Sequence, residues 1–375
     1  MLSWRSGVVV LVAASLLCSA AIAGSGWHVV PSQDVAGSDF DELDGTLVVG
    51  SSEAWAVGFS RVSGDNQFRA LVERWQGAAW EIVPSARIAA SHDTRLHALA
   101  STGPSDVWAV GTNTTPAGYV NHGLIEHWDG AAWTRLRRAS GEPDAATLLD
   151  VSADSPSDAW AVGWFVNDAS QMQPLIEHWN GSSWKVVDGA FGGQSYFDRL
   201  RAVSAIAPDD VWALGTTGRH PSPFAEHWDG NSWSLVPVPP SGFDSSLDSV
   251  TAVASDDVWA VGGANVTDTL VEHWDGSSWS IVFSPNAPGT QVRSFLTGVT
   301  ALGPGNIWAV GVAASSSSER TLIEHWNGTS WSIVQSPPAG VDAELLGVAG
   351  RRGGPLFAVG ARDVFSPQRT LVLQH

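Results

Sequence analysis

Charged residues of different kinds occupy one recurring place in this 375-residue chain. Asp44, His97, Arg201 and Asp248 each follow a leucine, and that leucine lies twelve residues before a W-A-V-G-type motif. Carboxylate and imidazole groups are common general acids and bases, and arginine binds anions through a planar set of donors. If the fold brings these side chains together, they could bind a polar ligand or transfer protons.

The same place in the other repeats holds Leu149, Thr297 and Leu346, so the residue at this position is not repeated. We predict that Asp44, His97, Arg201 and Asp248 bind a ligand. Three residues complete the candidate binding set, namely Arg199 and Arg293 near the same loops and Trp164 outside the repeat register. Ordinary solvated loop charge is the alternative interpretation. We assign no catalytic residue and no metal ligand.

The composition and the absence of several motifs exclude some classes of function for this chain. The formal charge of −19 argues against nucleic-acid binding, which needs a basic surface. A single cysteine, Cys18, excludes a disulfide framework and a cysteine-based zinc site. The chain contains no Walker loop, H-E-x-x-H or G-x-S-x-G motif. We therefore predict no cofactor and regard an enzymatic activity as the less favoured hypothesis.

Repeats of about 50 residues must position the candidate residues. The W-A-V-G-type motif begins at Trp55, Trp108, Trp160, Trp212, Trp259, Trp308 and Phe357. An E-[HR]-W-x-G-x-x-W motif follows it at Glu73, Glu126, Glu177, Glu226, Glu272 and Glu324. Each repeat contains four short runs rich in Val, Ile and Trp, separated by Gly, Ser, Asp and Pro, which predict strands. Four strands at this period predict an all-β, seven-bladed β-propeller with four-stranded antiparallel blades.

The two ends of the chain complement each other. The seventh repeat stops within its third strand, at His375, whereas the segment from Gly24 to Ser32 matches a fourth strand. We therefore predict that the N-terminal strand joins the last blade and closes the ring, which removes an exposed sheet edge. The predicted propeller domain spans residues 24–375.

Most repeated residues are interpreted as structural. Nineteen of the 21 tryptophans stand in register, as expected of packing within and between blades. Acidic residues usually stand two places before the strand-two Trp, where we expect them to bond nearby backbone N–H groups. We expect hydrogen bonding rather than metal binding for six histidines assigned to one repeat position: His127, His178, His227, His273, His325 and His375.

Length variation is confined to two connections in each repeat, between strands two and three and between successive repeats. The span from the strand-two Gly to the strand-three Glu ranges from 15 residues after Gly58 to 10 residues after Gly262. In an up-and-down blade both connections emerge on the same face. Binding usually resides on variable loops carried by a rigid scaffold, so this face is the predicted binding face.

The repeats resemble those of kelch-like propellers, in which an aromatic-Asp turn leads to a Trp that opens the outer strand. The segments Trp274–Trp279 and Trp331–Pro337 carry this resemblance, which covers nearly all of residues 24–375. The chain has one Gly after strand two where kelch repeats have a pair, and only Gly262-Gly263 keeps that pair. It is also similar to secreted bacterial proteins with W-A-V-G and E-H-W-[DN]-G-[ST]-S-W repeats. The resemblance implies the fold and no enzymatic residues.

The first 23 residues predict a secretory signal peptide. Arg5 precedes an apolar run, and Ala21-Ile22-Ala23 is an A-x-A cleavage signal. A retained membrane anchor and lipidation at Cys18 are the alternatives. The sequence therefore predicts a secreted or cell-surface protein, with a bacterial source suggested by its single Lys against 18 Arg.

Three hypotheses for function remain. The first is a monomeric, non-enzymatic propeller that binds an extracellular protein or glycan, with no nucleic-acid partner and no membrane span after cleavage. The second is an extracellular hydrolase or lyase that uses Asp44, His97 or Asp248 at the mouth of the central channel. The third is a purely structural module of the cell surface.

Overall fold

The computed structural model describes residues 26–88, 92–115, 120–193, 195–289, 291–364 and 367–375. This part of the chain consists of strands and loops and contains no helix. Its 28 strands form seven four-stranded antiparallel sheets arranged in a ring. The prediction of a seven-bladed β-propeller is therefore confirmed.

The strands are grouped here by their place in the blade, from the channel outward. The inner strands are β2 (Ser38–Val48), β6 (Asp93–Gly103), β10 (Ala146–Ser155), β14 (Arg199–Ala207), β18 (Ser246–Ala254), β22 (Arg293–Gly303) and β26 (Ala343–Gly350). The second strands are β3 (Ala54–Val62), β7 (Asp106–Thr115), β11 (Asp158–Val166), β15 (Asp210–Thr217), β19 (Asp257–Ala264), β23 (Asn306–Ala314) and β27 (Leu356–Arg362).

The outer half of each blade is shorter. The third strands are β4 (Arg69–Trp75), β8 (Val120–Trp128), β12 (Met172–Trp179), β16 (Ser222–Trp228), β20 (Asp268–Trp274), β24 (Glu319–Trp326) and β28 (Arg369–Gln374). The fourth strands are β5 (Trp80–Ile82), β9 (Trp133–Arg135), β13 (Trp184–Val186), β17 (Trp233–Val236), β21 (Trp279–Ile281), β25 (Trp331–Ile333) and, in blade seven, β1 (His28–Val30).

The N-terminal strand closes the ring. Strand β1 pairs antiparallel with β28, where Val29 lies opposite Leu373. Blade seven therefore has the order β1-β28-β27-β26, with strands from both ends of the chain. This confirms the predicted closure. The predicted signal peptide, Cys18 and the cleavage site after Ala23 lie outside the described residues.

Every inner strand contains a β-bulge directly after the repeat leucine. In blade one Leu43 pairs with Gly58 and Gly45 pairs with Val57, so Asp44 is the extra residue. The other blades have the same shift, and their extra residues are His97, Leu149, Arg201, Asp248, Thr297 and Leu346. A bulge leaves its extra residue unpaired and redirects the side chain. The variable position of the sequence is thus the bulge position.

The glycine of the W-A-V-G motif makes this bulge possible. A Cβ at Gly58 would lie 1.9 Å from the carbonyl oxygen of Glu42, far inside any permitted contact. The glycines in the other six blades would meet the carbonyl before their own repeat leucine at 1.9–2.1 Å. The repeated glycine therefore allows the backbone of the inner strand to bend close to strand two.

The strand-two aromatic residue packs between blades. The ring of Trp212 lies 4.9 Å from that of Trp274 and 5.2 Å from that of Trp279, both in the next blade. Phe357 takes this place in blade seven and contacts Trp80 of blade one at 5.1 Å. Such aromatic pairs contribute about 0.5–1.5 kcal/mol beyond the burial of their area. The in-register aromatic residues thus hold neighbouring blades together.

The repeated histidine joins strand three to the acidic residue before the strand-two Trp. The ring of His178 stacks 4.1 Å from Trp160, and its Nε2 lies 2.9 Å from Oδ1 of Asp158. The equivalent pairs are His127–Asp106, His227–Asp210, His273–Asp257 and His325–Asn306, and in blade one Arg74–Glu53. The structural interpretation of these histidines is confirmed. The expected partner of the acidic residues was wrong, because it is a side chain on strand three rather than nearby backbone.

His375 does not occupy the histidine position assigned from the sequence. Phe357 of strand two pairs with Gln374, whereas Trp308 in blade six pairs with His325. Gln374 is therefore the equivalent of the repeated histidine. His375 takes the place of the strand-three Trp, and its ring lies 5.4 Å from Trp27.

The repeated glutamates are core residues. All six have no exposed surface, and blade seven has the fully buried Leu373 at this position. Glu226 accepts hydrogen bonds from the backbone N–H of Ala190 at 2.6 Å and of Phe191 at 3.1 Å, which lie in the loop that leads into blade four. Glu272 has no hydrogen-bond partner for either carboxylate oxygen. These residues help to pack the blades, and Glu226 also holds the loop that connects blades three and four.

Candidate functional site

The seven bulge residues line one central cavity. This cavity has a volume of about 360 Å³ and is bounded by the inner strands of all seven blades. Its volume falls within the range of ligand pockets, roughly 300–1,000 Å³. Four of the candidate residues from the sequence, Asp44, His97, Arg201 and Asp248, therefore meet around the same space.

Asp44 and His97 form a pair across the first two blades. Nδ1 of His97 lies 2.7 Å from Oδ2 of Asp44, and both side chains are mostly buried. A carboxylate beside an imidazole holds one ring nitrogen protonated, so that the other ring nitrogen is oriented to accept or donate a proton. The pair could therefore act in ligand binding or in proton transfer.

Arg201 and Asp248 form a second pair across blades four and five. Nη1 of Arg201 lies 3.0 Å from Oδ1 of Asp248, and the other carboxylate oxygen accepts a hydrogen bond from Ser246 at 2.8 Å. Arg199 lies close to both charged groups. Burial, and then the neighbouring Arg201, lower the pKa of the Arg199 guanidinium below its ordinary value, and Asp248 opposes this effect.

The opposite side of the ring is acidic. Glu42 and Glu344 precede the repeat leucines of blades one and seven, next to Asp44. Burial raises the pKa of Glu42 to about 9, with further contributions from Asp44 and Glu344. Burial, followed by Glu319 and Asp44, raises the pKa of Glu344 to about 7. The mouth of the cavity is thus polarised, with carboxyl groups on blades seven and one and arginines on blade four.

Asp150 contributes another acidic group to the cavity wall. Its carboxylate accepts hydrogen bonds from the backbone N–H of Val203 at 2.8 Å and of Val151 at 2.9 Å, which joins the inner strands of blades three and four. Burial raises the pKa of Asp150 to about 7. Asp150 therefore has a clear structural role.

Several polar atoms of the cavity lack a hydrogen-bond partner. Oδ1 of Asp44 and Nε of Arg201 are buried without one, and Oδ1 of Asp248 has only the ion pair with Arg201. Buried polar atoms are normally satisfied by protein, water or ligand. These atoms belong to bulge residues that do not repeat, so the site has unused donor and acceptor capacity.

Three candidate residues, Trp164, Arg199 and Arg293, are not among the residues that line the cavity, although Arg199 stands only two residues before Arg201. Trp164 is half-buried on β11, where it pairs with Thr147 and Pro174 on the neighbouring strands. Arg293 begins β22 and lines a separate hollow with Thr267 and Glu319. The structure therefore does not bring Trp164 and Arg293 together with the four bulge residues.

An exposed aromatic patch lies above blade four, and its residues Phe197 and Phe243 were not predicted from the sequence. Tyr196, Phe197 and Phe243 are 54%, 47% and 59% exposed, and they lie in the loops before and after this blade. The guanidinium of Arg219 lies 5.7 Å from the ring of Tyr196, and His220 packs 4.7 Å from Phe243. Aromatic residues within Gly- and Ser-rich loops were the available signal. We call these five residues the blade-four patch.

Among the described residues, no group of three or more His, Cys, Asp or Glu side chains is placed to hold a metal ion. The same part of the chain contains no helix long and apolar enough to cross a membrane.

A scan of family models and a search of curated proteins give no match, whereas solved structures with the same fold are found. YCF48 from Cyanidioschyzon merolae has a TM-score of 0.57 at 16% identity, covering 93% of this chain and 98% of that one. YCF48 bound to a D1 peptide has a TM-score of 0.55 at 13% identity, covering 92% and 97%.

A polysaccharide lyase, ulvan lyase bound to a GlcA–Rha3S saccharide, has a TM-score of 0.54 at 11% identity. This alignment covers 89% of the present chain and 94% of the lyase. At these identities the similarity shows the fold alone. The same architecture thus occurs in a peptide complex and in an enzyme, so function must be argued from the site.

Proposed function

We propose that this protein is a non-enzymatic binding propeller that recognises an extracellular protein or glycan on its variable face. One observation carries the proposal: the bulge position of the inner strands, whose residue differs in chemistry from blade to blade, supplies charged side chains to a single polar cavity. A regular scaffold whose cavity is lined by unlike side chains is suited to specific recognition. The peptide complex of YCF48 is a precedent for binding by this fold.

The charge pairs favour binding over catalysis. Asp44 is engaged with His97, and Asp248 with Arg201, so each charged group already has a partner that fixes its position. Fixed charges and unused hydrogen-bonding atoms suit the orientation of a polar ligand. They do not by themselves provide a nucleophile.

The second hypothesis is a hydrolase or lyase, and the pair of His97 and Asp44 is the observation that favours it. An imidazole oriented by a carboxylate could remove a proton from a bound substrate. The test is to screen the protein on polysaccharide and ester libraries. Turnover that His97→Ala abolishes would replace the binding proposal with this one.

The experiment for the main proposal is a glycan array combined with a pull-down from extracellular material. Wild-type protein should give hits that Asp44→Asn and Arg201→Gln weaken. Arg135→Gln on outer strand β9, away from the cavity, is the control and should bind as wild type does. Blank arrays and pull-downs, with no ligand-induced shift in melting temperature, would support a purely structural surface module.

Secretion, the kelch-like assignment and a monomeric state belong to the same proposal. The A-x-A signal that ends at Ala23 supports secretion, and the turn and outer-strand motifs support the kelch-like assignment. N-terminal sequencing of the exported protein should find Gly24 first. A retained N-terminus, or a lipid on Cys18, would instead indicate an anchored protein.

A further inference from the structure

Two arginines share one carboxylate at the blade-four side of the cavity. Arg201 forms an ion pair with Asp248 at 3.0 Å, and Arg199 stands two residues earlier on the same strand, within electrostatic reach of both groups. Across the described residues, Arg199 forms no ion pair of its own within 4.0 Å. Among Arg199, Arg201 and Asp248 there is thus one more positive than negative charge.

This surplus charge lies in a partly buried place. Burial lowers the pKa of Arg199, and Arg201 adds repulsion between like charges. Holding a desolvated cation without a counter-ion is costly, and protein interiors normally pair such groups. An arginine beside the cavity that makes no ion pair, in a chain with a net charge of −19, points to an anionic ligand.

Other polar atoms of the cavity need hydrogen-bond donors and acceptors from a ligand. Oδ1 of Asp44 lacks a donor, Oδ1 of Asp248 has only its ion pair, and Nε of Arg201 lacks an acceptor. A ligand that fits must combine an anionic group with hydroxyl groups in a volume of about 360 Å³. A peptide with an acidic side chain also brings an anion together with backbone N–H donors, so oligoglutamate is the competing ligand to be tested.

The rim beside these arginines is aromatic and open to solvent. Arg199 begins β14 and lies opposite Thr216, near the end of β15. Arg219 of the blade-four patch follows shortly after β15. The arginines and the patch therefore lie at the same end of the blade. Tyr196 and Phe243 are more than half exposed. Exposed aromatic rings provide flat apolar surfaces, which can cover the C–H face of a sugar ring.

We propose that this side of the mouth binds a uronic acid residue of an acidic polysaccharide. The sugar carboxylate lies against Arg199 and Arg201, a hydroxyl of the same sugar faces the open oxygen of Asp248, and the adjoining sugar packs on Tyr196 and Phe243. This inference rests on the proposed function, because it names the ligand class of the same binding face.

The test is isothermal titration of the full mature protein with three probes: oligogalacturonate, oligomannuronate and a hyaluronan fragment. At least one should bind, with an affinity that falls as salt rises. The methyl ester of the same oligomer should bind about 10- to 100-fold more weakly, because it lacks the charge that Arg199 pairs with. Arg199→Gln should lose the same factor and should no longer distinguish acid from ester.

Two further variants separate binding from folding. Tyr196→Ala alters an exposed side chain and should weaken binding about 3- to 10-fold with an unchanged unfolding midpoint. Arg135→Gln removes an exposed arginine on β9 and should bind as wild type does.

Failure of all three uronides would overturn the inference, as would equal binding of acid and ester or tighter binding of oligoglutamate. If the array instead shows a neutral glycan or a protein whose binding depends on Asp44, the inference is wrong and the proposed function stands. If neither uronides nor the array and pull-down show binding, both are wrong.

Discussion

Nδ1 of His97 lies 2.7 Å from Oδ2 of Asp44, and this contact joins the bulges of two neighbouring blades. The two residues are 53 positions apart in the chain, which is one repeat. They meet because each bulge turns its side chain toward the channel. The contact joins a carboxylate and an imidazole at a position whose residue differs from blade to blade.

This pair should be energetically coupled. Asp44→Ala and His97→Ala should each lower the free energy of unfolding by about 1–2 kcal/mol, because each removes a charge-assisted hydrogen bond in a mostly buried place. The double variant should cost less than the sum of the two. Urea unfolding of the four proteins measures the coupling. His97→Ala combined with Asp248→Ala is the control, and strictly additive losses for the first pair would contradict the contact.

The buried glutamates should make the protein less stable as pH rises. Burial raises the pKa of Glu73, Glu177 and Glu272 to about 8, from an ordinary value of 4.5. Below pH 4.5 both the folded and the unfolded chain hold these protons, and between about 4.5 and 8 only the folded chain holds them. The unfolding free energy should therefore fall across this window, by about 1.4 kcal/mol per pH unit for each retained proton.

Urea unfolding at pH 5, 6, 7 and 8 measures this dependence. Glu272→Gln should make the profile less steep, because it removes one of the titrating groups. Glu81→Gln on strand β5 changes an exposed side chain and should leave the slope unchanged. A stability that stays constant or rises from pH 5 to pH 8 would refute the assignment.

Replacing the buried Glu272 by leucine should make the protein more stable. Glu272 has two buried carboxylate oxygens without hydrogen bonds, and blade seven carries Leu373 at the same position. A buried polar group without a hydrogen-bond partner costs about 1–3 kcal/mol, and an apolar side chain of similar size avoids that cost. Glu272→Leu should therefore raise the melting temperature, most clearly at pH 8.

Glu226→Leu is the matched comparison. Glu226 accepts two backbone hydrogen bonds from the preceding loop, which the leucine would leave without an acceptor. Its gain should be smaller or absent. A lower melting temperature for Glu272→Leu would show that this carboxyl has a partner.

The tryptophans in the repeat register should contribute far more to the free energy of unfolding than Trp164 does. Trp212→Ala should cost about 3–5 kcal/mol, because it opens a cavity between two blades where the ring is almost completely buried. Trp212→Phe should cost much less, since Phe357 fills the equivalent place in blade seven. Trp164→Ala removes a half-buried ring and should cost clearly less than Trp212→Ala. Calorimetry or denaturant unfolding checks the order, and equal losses at Trp164 and Trp212 would contradict it.

Repetition explains why most of the fold was predictable. The spacing from the repeat Leu to W-A-V-G and from Glu to the second Trp recurs, so strand number, blade number and ring closure follow from the sequence. Each repeat confirms the others, and local turn chemistry agrees with the global architecture. The error at His375 arose where the repeat is truncated and the pattern has no following Trp to define the register.

The site was predictable only in part. The sequence itself determined which position varies and that its residues begin the inner strands. Only the tertiary structure decided that Asp44 pairs with His97 and Arg201 with Asp248, because those contacts join different blades. It also separated Trp164 and Arg293 from the cavity and placed Phe197 and Phe243 on one patch. Single-copy loop residues have no register to compare, and their positions depend on packing between blades that local sequence does not encode.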